Sequence, residues 1–172
     1  LIYDFETRHH VATYRKKVPP SEYARGLAKV GHAFNTAVLV VERNHHGGTV
    51  LVVLIEQEHY PEIWCDHRGE AGWCTTSASR GPAVDNLADA IVRGEFDVCD
   101  ALFVAEARTF VRHPDGVPRA QSGCHDDLIL AAVIVWWILT YSRPVAARAP
   151  TDSPPDDHSR NLTGFASREE ED

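Results

Sequence analysis

The stretch Ala37-Val38-Leu39-Val40-Val41-Glu42-Arg43-Asn44 decides how this chain is read. Five apolar residues end abruptly on an acid. A continuous apolar run of this length predicts a strand buried on both faces. A carboxylate at the end of such a strand must be exposed, paired or bound to a cation, because a lone buried charge is too costly to keep. Pairing with the adjacent Arg43 is the simplest account of Glu42; a metal ion is the other.

Working outward, helices and strands alternate. Leu1–Tyr3 reads as a strand, 4–8 as a turn and Val11–Arg15 as a second strand. Pro19-Pro20-Ser21-Glu22 opens a helix that runs to about Val30, with Tyr23, Leu27 and Val30 at helical spacing. Residues 49–59 form another helical pattern, and Ile63-Trp64 a short strand. The polar span 65–79 predicts an irregular connection or a β-ribbon. Gly81-Pro82 restarts a helix through Arg93, with Val84, Leu87, Ala88 and Ile91 as its core face and Gly94 as its stop. A short helix over 100–107 follows. Then Thr109–Arg112 and Val117–Ala120 pair as a hairpin across Pro114-Asp115-Gly116. The last helix starts near Asp126 and stops before Pro144. The order predicts an α/β layer fold, with Glu42 at the carboxyl end of a strand, where ligands of such sheets bind.

Composition agrees with one globular domain: 172 residues, 44% of them hydrophobic. Leu128–Leu139 is strongly apolar but, at about a dozen residues, too short to span a bilayer. It predicts a buried core helix, and no membrane partner is expected. Leu1–Glu6 has no basic segment of the kind that opens a secretory signal. Cys65, Cys74, Cys99 and Cys124 are irregularly spaced and are read as free thiols. Residues 144–172, rich in proline, serine and acids, are expected to be a disordered acidic tail. Seven acids and two arginines in 151–172 account for −5 of the net charge of −8. A body near −3 argues against tight independent DNA binding, which depends on neutralising phosphates.

The second chemistry-bearing run is Gly123-Cys124-His125-Asp126-Asp127, directly before the apolar helix. One aspartate at a helix start needs no explanation beyond capping and the helix dipole. Two adjacent ones repel, and a divalent cation would relieve that repulsion. Together with Glu42 they give three carboxylates. Mg²⁺ and Mn²⁺ favour oxygen donors, and two such ions about 4 Å apart suit in-line phosphodiester cleavage.

Four segments, in order, resemble the C-terminal nuclease domain of the large terminase subunit of tailed phages, a ribonuclease H-like fold. Val41-Glu42-Arg43-Asn44 with Gly47-Gly48 resembles its second acid motif. Gly72-Trp73-Cys74-Thr75 with Arg80 resembles its glycine-tryptophan-x-threonine segment, and Glu106 to Phe110 its glutamate-x-x-threonine-phenylalanine motif. Gly123 to Asp127 resembles the third acid motif.

The resemblance implies, over 1–143, a ribonuclease H-like mixed sheet flanked by helices. It implies a two-metal endonuclease, with Mg²⁺ or Mn²⁺ on Glu42, Asp126 and Asp127, that cuts concatemeric double-stranded DNA during genome packaging. The partners would be a packaging ATPase, the portal and the small terminase subunit, in the host cytoplasm. The family's first acid lies on its first strand, which this chain is expected to lack; a weakly active fragment is therefore expected. His125 would bond a ligating carboxylate or cap the helix. Glu106 would lie on a helix surface or pair with Arg108, or act in catalysis. Trp73 and Arg80 would touch DNA, or Trp73 would pack beneath its loop. His9-His10 and His45-His46 are read as solvated loops.

Three other readings stand beside this one. Asp4 and Glu6, in Tyr3-Asp4-Phe5-Glu6-Thr7, resemble the first motif of proofreading-type 3′–5′ exonucleases. A zinc-stabilised binding module would use Cys65, His67 and Cys74 with Cys124 or His125. A degenerate, inactive terminase fragment would keep only a docking role.

Overall fold

A computed structural model describes residues 1–141; the expected acidic tail lies outside the described residues. Among the described residues the fold is mixed α/β, with five α-helices and two small antiparallel sheets. β1 (Ile2–Tyr3) pairs with β2 (His10–Ala12) around a turn closed by Asp4. β2 is shorter than the expected 11–15 strand. β3 (Phe110–Arg112) pairs with β4 (Pro118–Ala120), Val111 opposite Arg119, as the Pro-Asp-Gly turn predicts.

Two apolar clusters carry the packing. The first gathers α1 (Pro20–Ala33), α2 (Gly47–Val52) with the π-helical turn Val53–Gln57 that extends it, Leu39, Val41 and Tyr60. The buried face of α1 is Ala24, Ala28 and Gly31, while Tyr23 and Leu27 are only partly covered. Small residues are required there: a Cβ on Gly31 would lie 2.2 Å from the Tyr60 hydroxyl, which donates to Ala37 O at 2.6 Å.

The second cluster joins α3 (Ser77–Val92), α4 (Ala101–Ala107) and α5 (Asp127–Tyr141) through Leu87, Phe103, Ile129, Val133 and Trp136. α5 is apolar around most of its circumference because it packs on both α3 and α4. α3 begins earlier than Gly81. Thr76 caps it, its hydroxyl accepting from Ser79 N–H while the Ser79 side chain answers the Thr76 N–H. Its buried residues are Ala83, Leu87 and Ala90, and Ile91 is exposed, so the core face is rotated from the expected one.

The run 37–43 is extended but does not form a ladder of its own. Leu39 bonds to Glu62 and Trp64, and farther along Val41 and Arg43 bond to Trp73, both in parallel sense. Between those two contacts the chain makes an excursion over 65–71, pinned by Arg43 to Asp66 at 2.9 Å and to Glu70 at 2.8 Å. All these backbone bonds leave from the odd-numbered residues. On the opposite edge, Val38, Val40 and Glu42 have no backbone partner among the described residues. Val38 is 50% exposed. Burial on both faces is therefore corrected: only Leu39 and Val41 face a core, and one edge of the strand is open.

Candidate functional site

The extended run delivers Glu42 into a cleft of about 340 Å³, lined also by Asn44, Thr75, Thr76, Arg80 and Leu130. Two glycines fix its approach. A Cβ on Gly47 would fall 1.6 Å from Glu42 O, so only glycine lets α2 start directly behind the acid. Gly72 has a φ of +81° and lies under Val41 O, which a Cβ would approach to 2.6 Å. Asn44 then ties the two loops together: its Nδ2 donates to Thr75 O at 2.8 Å and its Oδ1 accepts from Thr75 N–H at 3.3 Å.

Arg80, in the first turns of α3, reaches from this cleft to the start of α5. Its Nη2 donates to Asp126 Oδ2 at 2.7 Å and its Nε to Pro118 O at 3.0 Å. The Ala120 N–H adds a longer bond to the same Asp126 oxygen at 3.4 Å. Arg80 thus lines the cleft with Glu42 and holds Asp126 from its edge. Asp127, the first residue of α5, is turned elsewhere. Its carboxylate is 70% exposed, 3.5 Å from Arg15 Nη2 and 3.9 Å from His125 Nδ1.

Glu106 corrects the sequence reading. It lies neither on a helix surface nor against Arg108. It is 7% exposed, and its Oε2 accepts the Leu128 N–H at 2.7 Å, capping α5 from another element. Its Oε1 has no aligned hydrogen-bond donor; the nearest charge is Arg15 Nη1 at 3.4 Å. The signal was present in the sequence, since Phe103 and Glu106 are three apart and share the buried face of α4. Arg15, which the sequence reading passed over, connects Glu106 with Asp127.

Trp73 packs between Trp64 and Trp137, with ring centroids 6.1 and 5.8 Å away, and its Nε1 donates to Thr75 Oγ1 at 3.1 Å. Asp4 spends one oxygen on the N–H and hydroxyl of Thr7, which lower its carboxyl pKa. All four cysteines are free and exposed.

Carboxylate oxygens are the right chemistry for Mg²⁺ or Mn²⁺. Among the described residues, no three His, Cys, Asp or Glu side chains converge into a group that could hold a metal ion, neither the three acids above nor the cysteines and histidines of the zinc reading. Arginines stand beside the aspartates instead, Arg80 at Asp126 and Arg15 at Asp127. No family model matches the chain. No helix among the described residues is long and apolar enough to cross a membrane.

Proposed function

We propose that this chain is a metal-dependent DNA endonuclease domain of the terminase type. The observation that carries the reading is the shared cleft: Glu42 opens into it, and Arg80 reaches from it to hold Asp126. Glu42, Asp126 and Asp127 would hold Mg²⁺ or Mn²⁺, ions that activate water and stabilise the leaving oxygen of a phosphodiester. Gly47, Gly72 and Asn44 hold the Glu42 loop, and Glu106 and Arg80 hold the start of α5. The substrate would be double-stranded DNA, held by the rest of a packaging machine in the host cytoplasm that includes an ATPase, the portal and the small terminase subunit.

The open edge at Val38, Val40 and Glu42 supports the finer fold reading. A further strand pairing there would complete a ribonuclease H-like mixed sheet and bring a fourth acid alongside Glu42. The test is nicking of supercoiled plasmid with Mn²⁺. Weak Mn²⁺-dependent nicking is expected, and Glu42→Gln is expected to abolish it. Vigorous cleavage by the chain alone, unaffected by Glu42→Gln, would contradict the reading. A second reading, an inactive docking fragment, draws on the arginine pairing of both aspartates. It predicts no Mn²⁺-dependent nicking at all.

A further inference from the structure

Positive charge is concentrated in one short segment. Residues 15–32 hold three lysines, two arginines and one acid, a net charge of +4 within a chain of net −8. Every lysine of the protein, Lys16, Lys17 and Lys29, falls inside it. The structure turns this segment into one exposed ridge. Arg15, Lys16 and Lys17 are exposed on the loop that leads into α1. Lys16 reaches along the first turn to Glu22, 3.6 Å away. Arg25 and Lys29, four positions apart, continue on one exposed side of α1. Ala24, Ala28 and Gly31 are the buried residues of that helix.

The ridge is loosely neutralised. Lys16 lies 3.6 Å from Glu22, Arg25 3.7 Å from Glu58, and Arg15 3.4 Å from Glu106 and 3.5 Å from Asp127. Elsewhere Arg43, Arg80, Arg93 and Arg119 hold their acids at 2.7–2.9 Å. Lys17 and Lys29 pair with no acid among the described residues. Long, exposed pairs exchange partners at little cost. At the loop end, the contact of Arg15 with Asp127 carries the ridge up to the start of α5.

We propose that loop 15–17 and the exposed side of α1 form a track for the phosphates of duplex DNA. The choice of duplex DNA rests on the nuclease reading. From Pro20 to Lys29 the helix rises about 14 Å, enough to meet more than one phosphate of a duplex that carries a charge per ~1.7 Å of its axis. Flexible cations on a convex helix face read the backbone and carry no sequence preference. The acids that make the net charge negative lie outside the ridge, so a weakly held duplex is compatible with it.

Fluorescence anisotropy of a labelled duplex of about 20 base pairs, titrated in EDTA between about 50 and 200 mM salt, tests the track. Thermal melts verify folding. The wild type is expected to bind weakly, with an affinity that falls steeply as salt rises. The double variant Lys17→Ala/Lys29→Ala is expected to bind about tenfold more weakly at the lowest salt and to lose about two from the slope of log affinity against log salt. Lys17→Glu/Lys29→Glu should abolish binding. Arg93→Ala, at the far end of α3 and outside the ridge, should leave it unchanged. A double variant with wild-type affinity and slope would overturn the track, as would a wild type that binds phosphatidylserine vesicles but no duplex. If the double variant loses the duplex and no form nicks plasmid with Mn²⁺, the track stands and the nuclease reading falls. If Mn²⁺ nicking occurs and the double variant binds duplex as the wild type does, the track alone falls.

Discussion

Arg80 and Asp126, 46 positions apart, meet at 2.7 Å, and this contact joins the Glu42 cleft to the start of α5. Both side chains are about three-quarters buried, so the pair is neither a screened surface contact nor a fully desolvated one. Arg80 also donates to Pro118 O, which ties the β3–β4 hairpin to the same point.

Arg80→Ala removes two bonds and leaves Asp126 with only the long Ala120 N–H. A hydrogen bond to a charged group is worth roughly 1.5–3 kcal/mol. The variant is expected to lose about that much in urea unfolding, and Arg80→Lys part of it.

Glycines should separate by sign. Gly47→Ala and Gly72→Ala each drive a Cβ against the Val41–Glu42 backbone and should destabilise by about 1–3 kcal/mol. Gly48→Ala, inside α2 with only Arg43 O at 3.8 Å from the new methyl, should stabilise by roughly 0.5–1 kcal/mol. Urea midpoints of the three variants measure this directly.

The two apolar clusters predict near-independence. Leu54 is fully buried in the first, and Leu54→Ala should cost about 2–5 kcal/mol. Trp136 belongs to the second, and Trp136→Phe gives up the Nε1–H bond to Asn86 at 2.6 Å, a loss of roughly 1–3 kcal/mol. The double variant should equal the sum of the two within about 0.5 kcal/mol. A larger coupling would mean that the clusters act as one core.

Acid should destabilise the fold through identifiable carboxylates. The Thr13 hydroxyl holds the Asp100 carboxyl below its ordinary value; burial opposes this and the N–H groups of Leu102 and Phe103 add to it. Asp115 is lowered by the Val117 N–H and by Arg119, and Asp4 by Thr7. Each folded pKa lies below the unfolded value of about 3.9. The stabilisation is therefore complete above that value and is lost as pH falls through the folded pKa values. Asp100→Asn should be less stable than wild type at pH 7, and the gap should narrow as pH falls below the unfolded value of about 3.9. Urea midpoints taken across that range measure it.

Much of the fold was legible in the sequence, for local reasons. Pro114-Asp115-Gly116 marks the hairpin turn, Pro20 opens α1, and the unbroken apolar run after Asp127 marks a helix buried on several sides. The start of α3 was obscured because Gly81-Pro82 looks like a helix opening, whereas the true cap uses a serine at the third helical position, where glutamate or glutamine is usual. Val38 was misjudged because an apolar run does not reveal that one edge has no neighbour. In the site, Glu42, Asp126 and Asp127 stand out as acids beside apolar runs. The Arg80 and Arg15 contacts do not, because they join segments 46 and 112 positions apart that local pattern cannot bring together.

The central claim is that Glu42 and the acids at the start of α5 act on the same divalent cations. Paramagnetic broadening of amide resonances on titrating Mn²⁺ into the isotope-labelled chain tests it most directly. The account predicts that residues 42–45, 75–77 and 126–128 broaden together at the lowest Mn²⁺ concentrations, and that Glu42→Gln removes the effect at all three. Broadening confined to the acids of 152–172, or unchanged around residues 126–128 in Glu42→Gln, would contradict it.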